Sequence, residues 1–272
     1  MGPVEAIILG LFQGVTEFLP ISSSAHLVIL PWALGWQDPG LTFDVGLHMG
    51  TFVAVVAYFW RDWCGIIGAV VSSLRRLSPF ADREARLGWF IVLGTIPGGI
   101  AGVLFESHAE TIFRDIRLVA VMLMTLGVVL FLAERMAGHF RNIEHLSMKD
   151  SVLIGLAQAF AIIPGVSRSG STISMGLFRG LQRDTAARFS FLLGTPIILG
   201  ASAKRLPSLF EGGMPADERL VLLLGAAAAA IASFATIALL LRYLRRHSTL
   251  PFVVYRLALG LGLLVFASWR GL

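Results

Sequence analysis

Gln13, Glu17, Ser22, Ser23, Ser24 and His26 place an amide, a carboxylate, hydroxyls and an imidazole in the otherwise apolar run Gly10–His26, GLFQGVTEFLPISSSAH. Gln13 and Glu17 are four residues apart, so they share one helix face about a turn apart. A carboxylate beside an amide oxygen can ligate a hard cation, Mg²⁺ or Ca²⁺, leaving further positions to phosphate and water oxygens. An acid at membrane depth is costly and points to function. The serines follow Pro20, where Ser22 suits a helix N-cap. Ser23 and His26 are candidates for chemistry: either a hydroxyl activated by a base, or an imidazole that itself attacks phosphorus.

A second stretch, Gly155–Ser174, GLAQAFAIIPGVSRSGSTIS, repeats the plan. Both begin Gly-Leu-x-Gln, run apolar to a proline (Pro20, Pro164) and open into serines. Its own contribution is Arg168, flanked by Gly165, Ser167, Ser169 and Thr172. Gly and Ser permit a tight turn with inward N–H groups, and a helix starting near Ser169 would aim its N-terminus at the same place, a natural phosphate site. An arginine fork matches phosphate oxygens two at a time. The pattern GxxxxGK[ST] is absent, so this is not a nucleotide P-loop. The two stretches are expected to meet within a bilayer, Arg168 facing Glu17, and to form one site.

The elements that must position these groups follow from composition. Of 272 residues, 56% are hydrophobic and 14% charged, well below the quarter or so that is charged in soluble domains. Lipid must therefore solvate much of the surface, and long apolar runs exclude a transmembrane barrel. The expected class is an all-α polytopic membrane protein. The net charge of +5 is explained by topology rather than by nucleic acid, because the basic residues sit between spans. One cysteine, Cys64, excludes an intrachain disulfide and reads as a bland boundary residue. No cleavable signal peptide is expected, since the N-terminal run lacks a basic leader and holds Gln13 and Glu17.

Residues 4–35 and 150–180 are each broken near the middle and read as re-entrant hairpins, because halves of about 15 residues do not cross a core that needs about 20. Six full spans are expected near 41–60, 87–105, 117–135, 187–204, 219–241 and 251–269, with a basic amphipathic connection over 61–86. The connections 61–86, 135–149, 179–188 and 242–247 hold fourteen Lys/Arg, against six at Arg114, Arg117, Lys204, Arg205, Arg219 and Arg270. The richer side is cytoplasmic, which places both termini outside and makes the hairpins enter from opposite faces. That is an inverted-topology repeat, about 1–140 and 150–272 within one membrane domain, with functional groups expected near the midplane. Leu93-Gly94-Thr95-Ile96-Pro97 weakly echoes Leu193-Gly194-Thr195-Pro196. Arg188 reads as a span boundary, His48 as structural, and Arg256, deeper in its span, as partner to a carboxylate or a lipid phosphate.

At these residues the chain resembles the undecaprenyl-diphosphate phosphatase family, the bacitracin-resistance type called BacA or UppP. The family's (E/Q)-x-x-x-E matches Gln13–Glu17, and F-L-P-x-S-S-x-x-H matches Phe18–His26. P-G-x-S-R-S-x-x-T matches Pro164–Thr172, S-F-L-L-x-x-P matches Ser190–Pro196, and P-F-x-x-Y-R matches Pro251–Arg256. With Gln13 at the first acidic position, Glu17 is the sole anion of the first motif. The resemblance implies a hydrolase acting on a phosphoric anhydride. It would convert undecaprenyl diphosphate to undecaprenyl phosphate and inorganic phosphate, with a divalent metal, and recycle the carrier for peptidoglycan in the bacterial plasma membrane. It also favours a homodimer. On that reading Glu17, Ser23, His26 and Arg168 are catalytic, Ser22, Gly165, Ser167, Ser169 and Thr172 bind substrate, and Glu17 with Gln13 hold the metal. The rival reading is a polyprenyl-phosphate flippase or anion transporter of the same architecture, though a transporter needs no Ser/His pair beside an acid.

Overall fold

The computed structural model describes residues 1–80, 82–105, 115–205 and 215–269, and apart from short 3₁₀ turns their regular structure is α-helix. In chain order the helices are α1 (Pro3–Phe18), α2 (Ser23–Leu34), α3 (Gly40–Tyr58), α4 (Trp60–Arg75), α5 (Arg83–Leu104), α6 (Ile116–Met136), α7 (Met148–Ala159), α8 (Arg168–Phe178), α9 (Arg183–Arg205), α10 (Ala216–Leu244) and α11 (Leu250–Trp269). Among the described residues, α5, α6, α9, α10 and α11 are each long and apolar enough to cross a membrane. A sixth span arises if the bent pair α3–α4 is taken as one. The connection expected over 61–86 is therefore helical as far as Arg75, and it leaves α3 through a bend of 79°. Of the charges counted for orientation, Arg114 and Arg270 lie outside the described residues, as do the side chains of Lys204 and Arg205.

The membrane-facing surface is apolar: Val103, Ile231, Leu239, Val254 and Val265 are each more than 60% exposed, an arrangement that water would penalise and lipid does not. The exception is α9, whose apolar window is 61% buried against 28–33% for the other four spans. It is the central helix, and Phe191 on it meets the Phe18 ring edge-on at 5.0 Å.

Four helices are too short to cross: α1 has 16 residues, α2 and α7 have 12 and α8 has 11, so none exceeds about 24 Å against a core of about 30 Å. The first member of each short pair lies on a long helix from the other half of the chain: α1 runs along α10, and α7 along α5. Small residues make this close approach possible. A Cβ at Gly10 would sit 2.1 Å from the Gly225 carbonyl oxygen, and one at Gly155 would sit 2.3 Å from that of Gly94. Those glycines open the two Gly-Leu-x-Gln runs, so the repeat in sequence is a repeat in packing.

Candidate active site

The two breaks have matched backbones. Ser22 caps α2 at φ 75°, ψ 94°, and Ser167 caps α8 at φ 70°, ψ 116°. Positive φ at a non-glycine residue costs about 1–3 kcal/mol and persists only where surrounding contacts enforce it. Here the enforcement is mutual. Ser22 Oγ accepts from Ala25 N at 3.4 Å and from Gly165 N at 3.1 Å, so one serine caps its own helix and holds the opposite break. Ser169 Oγ returns the link by donating to the Leu19 carbonyl at 2.9 Å, and Ser167 Oγ accepts from Gly170 N at 3.0 Å.

Arg256 locks the pair. Its side chain is fully buried, and it donates to the Pro20 carbonyl at 3.0 Å, to Gly165 O at 2.6 Å and to Leu123 O at 3.1 Å. The sequence reading paired Arg256 with a carboxylate or a lipid phosphate; its partners are instead carbonyls. Two of them, Pro20 O and Gly165 O, lie at the breaks where no helical N–H meets them, and the third, Leu123 O, lies within α6. Two broken helices side by side create more such acceptors than hydroxyls can satisfy, and the five donors of a guanidinium meet that need.

Glu17 is the centre of the remaining contacts. Arg168 Nη2 donates to Glu17 Oε1 at 3.0 Å; Ser23 Oγ and Gln13 Nε2 donate to Oε2 at 2.5 and 3.0 Å. Ser23 and Arg168 open α2 and α8 at equivalent positions, so each break sends its first helical residue to the same carboxylate. Arg168 Nη1 reaches the Ser190 carbonyl at 3.4 Å, and Thr172 Oγ1 lies 2.6 Å from Ser190 Oγ. His26 spends both ring nitrogens: Nδ1 faces the Ser22 carbonyl at 2.7 Å and Nε2 the Tyr255 hydroxyl at 2.6 Å. A carbonyl only accepts, so Nδ1 carries the proton and Nε2 of the neutral ring accepts from Tyr255.

Every residue proposed for the site from the sequence thus lies at or beside the junction of the two breaks, whereas Arg188 lies apart from it, paired with Asp62. Some neighbours were missed. His48, read as structural, has Nε2 3.5 Å from Glu17 Oε2. The signal was present, since Asp44, His48 and Thr51 put three polar groups on one face of an apolar helix. Tyr255 and Ser190 had no signal beyond their motifs. Gly194 read only as part of a weak repeat, yet a Cβ there would lie 1.0 Å from Arg168 Nη1. Its bare backbone is the floor on which the Arg168 fork rests. Gly194→Ala is therefore expected to displace the guanidinium from Glu17 and cut turnover about a thousandfold, the scale of losing the arginine itself, with a loss of thermal stability comparable to that of breaking the buried pair. Wild-type turnover in that variant would contradict this placement.

Comparison with known proteins bears on the same residues. The family model described as bacitracin resistance protein BacA matches residues 6–262. The chain belongs to the BacA family. Similar relatives include proteins of Thermomicrobium roseum (48% identical, 97% of this chain and 98% of the relative) and Moorella thermoacetica (49%, with 99% of each covered). Another is from Pelotomaculum thermopropionicum (48%, 98% of this chain and 97% of the relative). All three carry the name undecaprenyl-diphosphatase. The BacA match covers both breaks, α9 and α11 as far as residue 262, and so includes Glu17, Arg168 and Arg256.

Proposed function

We propose that the junction of the two breaks is the catalytic centre of an undecaprenyl-diphosphatase. The reaction is hydrolysis of undecaprenyl diphosphate to undecaprenyl phosphate and inorganic phosphate, the activity named for the BacA relatives. The observation that carries the assignment of residues is the short Ser23–Glu17 hydrogen bond beside Arg168. A hydroxyl aimed at a carboxylate is an activated nucleophile, and an adjacent guanidinium meets the charge that builds on a transferring phosphoryl group. Because both nitrogens of His26 are engaged, the geometry favours Ser23 over His26 as attacking group.

In this mechanism Ser23 Oγ attacks the terminal phosphorus while its proton passes to Glu17. The phosphoanhydride bond breaks and undecaprenyl phosphate leaves with the bonding pair. Water then displaces serine from phosphorus: Glu17 returns the proton acquired in the first step to the leaving Ser23 Oγ, and both water protons leave on the released dihydrogen phosphate, which restores the carboxylate. Arg168 holds the phosphoryl oxygens in both steps, aided by the first N–H groups of α2 and α8. His26, fixed by Tyr255, holds the Ser22 carbonyl and so the orientation of Ser23.

A divalent cation fits this set. Gln13 Oε1 is buried with no hydrogen-bond partner, beside the carboxylate. Among the described residues there is no cluster of three His, Cys, Asp or Glu side chains suited to a metal. One carboxylate plus substrate oxygens is nevertheless a usual arrangement for Mg²⁺. Glu17 and Gln13 would hold the ion, which supplies charge neutralisation on the diphosphate. The positive-inside count supports a centre opening to the external side of the bacterial plasma membrane, both termini external. The exchange of long partner helices between α1 and α7 supports the inverted repeat. The test is phosphate release from undecaprenyl diphosphate by purified protein with and without EDTA. Loss with EDTA and recovery with Mg²⁺ or Ca²⁺ is expected, together with loss of about a thousandfold in Glu17→Gln. Release indifferent to EDTA would remove the metal, and normal release by Glu17→Gln would remove the centre.

A further inference from the structure

Where α3 bends into α4, the ends of α3, α9 and α10 enclose a cavity of about 250 Å³ that the centre around Glu17 does not use. Arg188, Arg242 and Arg245 line it with a single carboxylate, Asp62. Asp62 is spent on Arg188, whose guanidinium also lies 5.8 Å from the centre of the Phe59 ring. Among the described residues, the one ion pair of Arg245 is a long contact, 3.7 Å, to Asp184 outside the cavity. The cavity therefore carries surplus positive charge.

The opposite character lies deeper. On α10 the cavity is lined by Ala238, Leu241, Arg242 and Arg245, a spacing that puts all four on one helix face. Arg245 is the C-cap of α10, so Ala238 sits about 10 Å further along the helix from that end. Phe59 and Tyr58 form the facing wall. Charge at the mouth and an apolar wall within match a phosphate joined to a hydrocarbon chain. Arginines at a helix C-terminus also complement the helix dipole, but that does not account for Arg188, from the second turn of α9, facing the same space. The adjoining cavity shares Arg245, but its Arg183 is committed to Glu134.

We propose that this cavity binds an anionic phospholipid, its phosphate between the arginines at the mouth and the start of a chain along Leu241 and Ala238. Basic pockets between membrane helices take lipid phosphates in this way. A free phosphate ion would use the mouth alone. The test is native mass spectrometry of the purified protein in detergent with phosphatidylglycerol or phosphatidylcholine, with and without millimolar inorganic phosphate. Wild-type protein should retain phosphatidylglycerol in preference. Arg242→Gln with Arg245→Gln should weaken that retention about 25-fold, roughly fivefold per arginine, and leave phosphatidylcholine unchanged. Leu241→Trp, which fills the apolar end and keeps every charge, should weaken it too. Unaltered phosphate release shows that the variants are folded; if the double arginine variant is not, Leu241→Trp decides. Equal retention of the two lipids, retention unaffected in the folded variants, or displacement by inorganic phosphate would overturn the proposal.

Discussion

Arg168→Ala is expected to lower phosphate release by about a thousandfold or more, the scale on which an arginine stabilises a transferring phosphoryl group. The same substitution removes a cation from a buried carboxylate, since Glu17 is 6% exposed, and breaking one partner of such a pair costs about 3–5 kcal/mol. Stability and catalysis must therefore be separated. In Arg168→Ala with Glu17→Gln the charge imbalance is gone, so thermal stability should return towards wild type while turnover stays lost. Arg168→Lys keeps the charge but not the fork that spans Glu17 Oε1 and Ser190 O, and it should recover only part of the rate. Turnover near wild type in Arg168→Ala would end the proposed mechanism.

Arg256→Leu is expected to cost more stability than any substitution at the centre itself. It would leave the carbonyls of Pro20 and Gly165 buried without this donor, at about 1–3 kcal/mol for each acceptor left unpaired, and would cut the tie to the Leu123 carbonyl of α6. These carbonyls belong to both breaks and to α6, so the loss is not confined to one element. Ser22 and Ser167 would no longer be held at positive φ, and the Ser23–Glu17–Arg168 geometry should relax with them. Thermal unfolding in detergent should show a large drop, and phosphate release should fall even well below the new midpoint. Arg256→Lys offers a single ammonium and cannot bridge the same carbonyls. A stable and active Arg256→Leu protein would mean that the breaks are held together by something else.

Most of this site was legible in the sequence because its chemistry is local. Gln13 and Glu17 are one helical turn apart, Ser23 and His26 follow a proline, and Arg168 sits in a Ser/Gly turn that repeats the same plan. The helical, membrane-embedded class followed from apolar length and charge spacing. Contacts that depend on distant packing were not legible. Nothing in the order of residues says that α3 brings His48 to Glu17, or that Tyr255 closes on His26 across 229 positions. Arg256 was misassigned because an arginine in an apolar span suggests a carboxylate or a phosphate. Its actual partners, the carbonyls of Pro20, Gly165 and Leu123, come within reach of one guanidinium only once two broken helices lie together against α6. Gly194 carries no side chain to read, and its role is the space it leaves. The bend between α3 and α4 escaped notice because the chain stays helical on both sides of Phe59.

Ser23 at one break and Arg168 at the other share Glu17, so either break alone is incomplete. The measurement that tests this most directly is rapid quenching of the reaction with substrate labelled at the terminal phosphorus, followed by peptide mapping of the trapped label. The label is expected on Ser23, to be absent in Ser23→Ala, and to form at least about a thousandfold more slowly in Arg168→Ala. Label on His26, or wild-type turnover by Ser23→Ala, would contradict it.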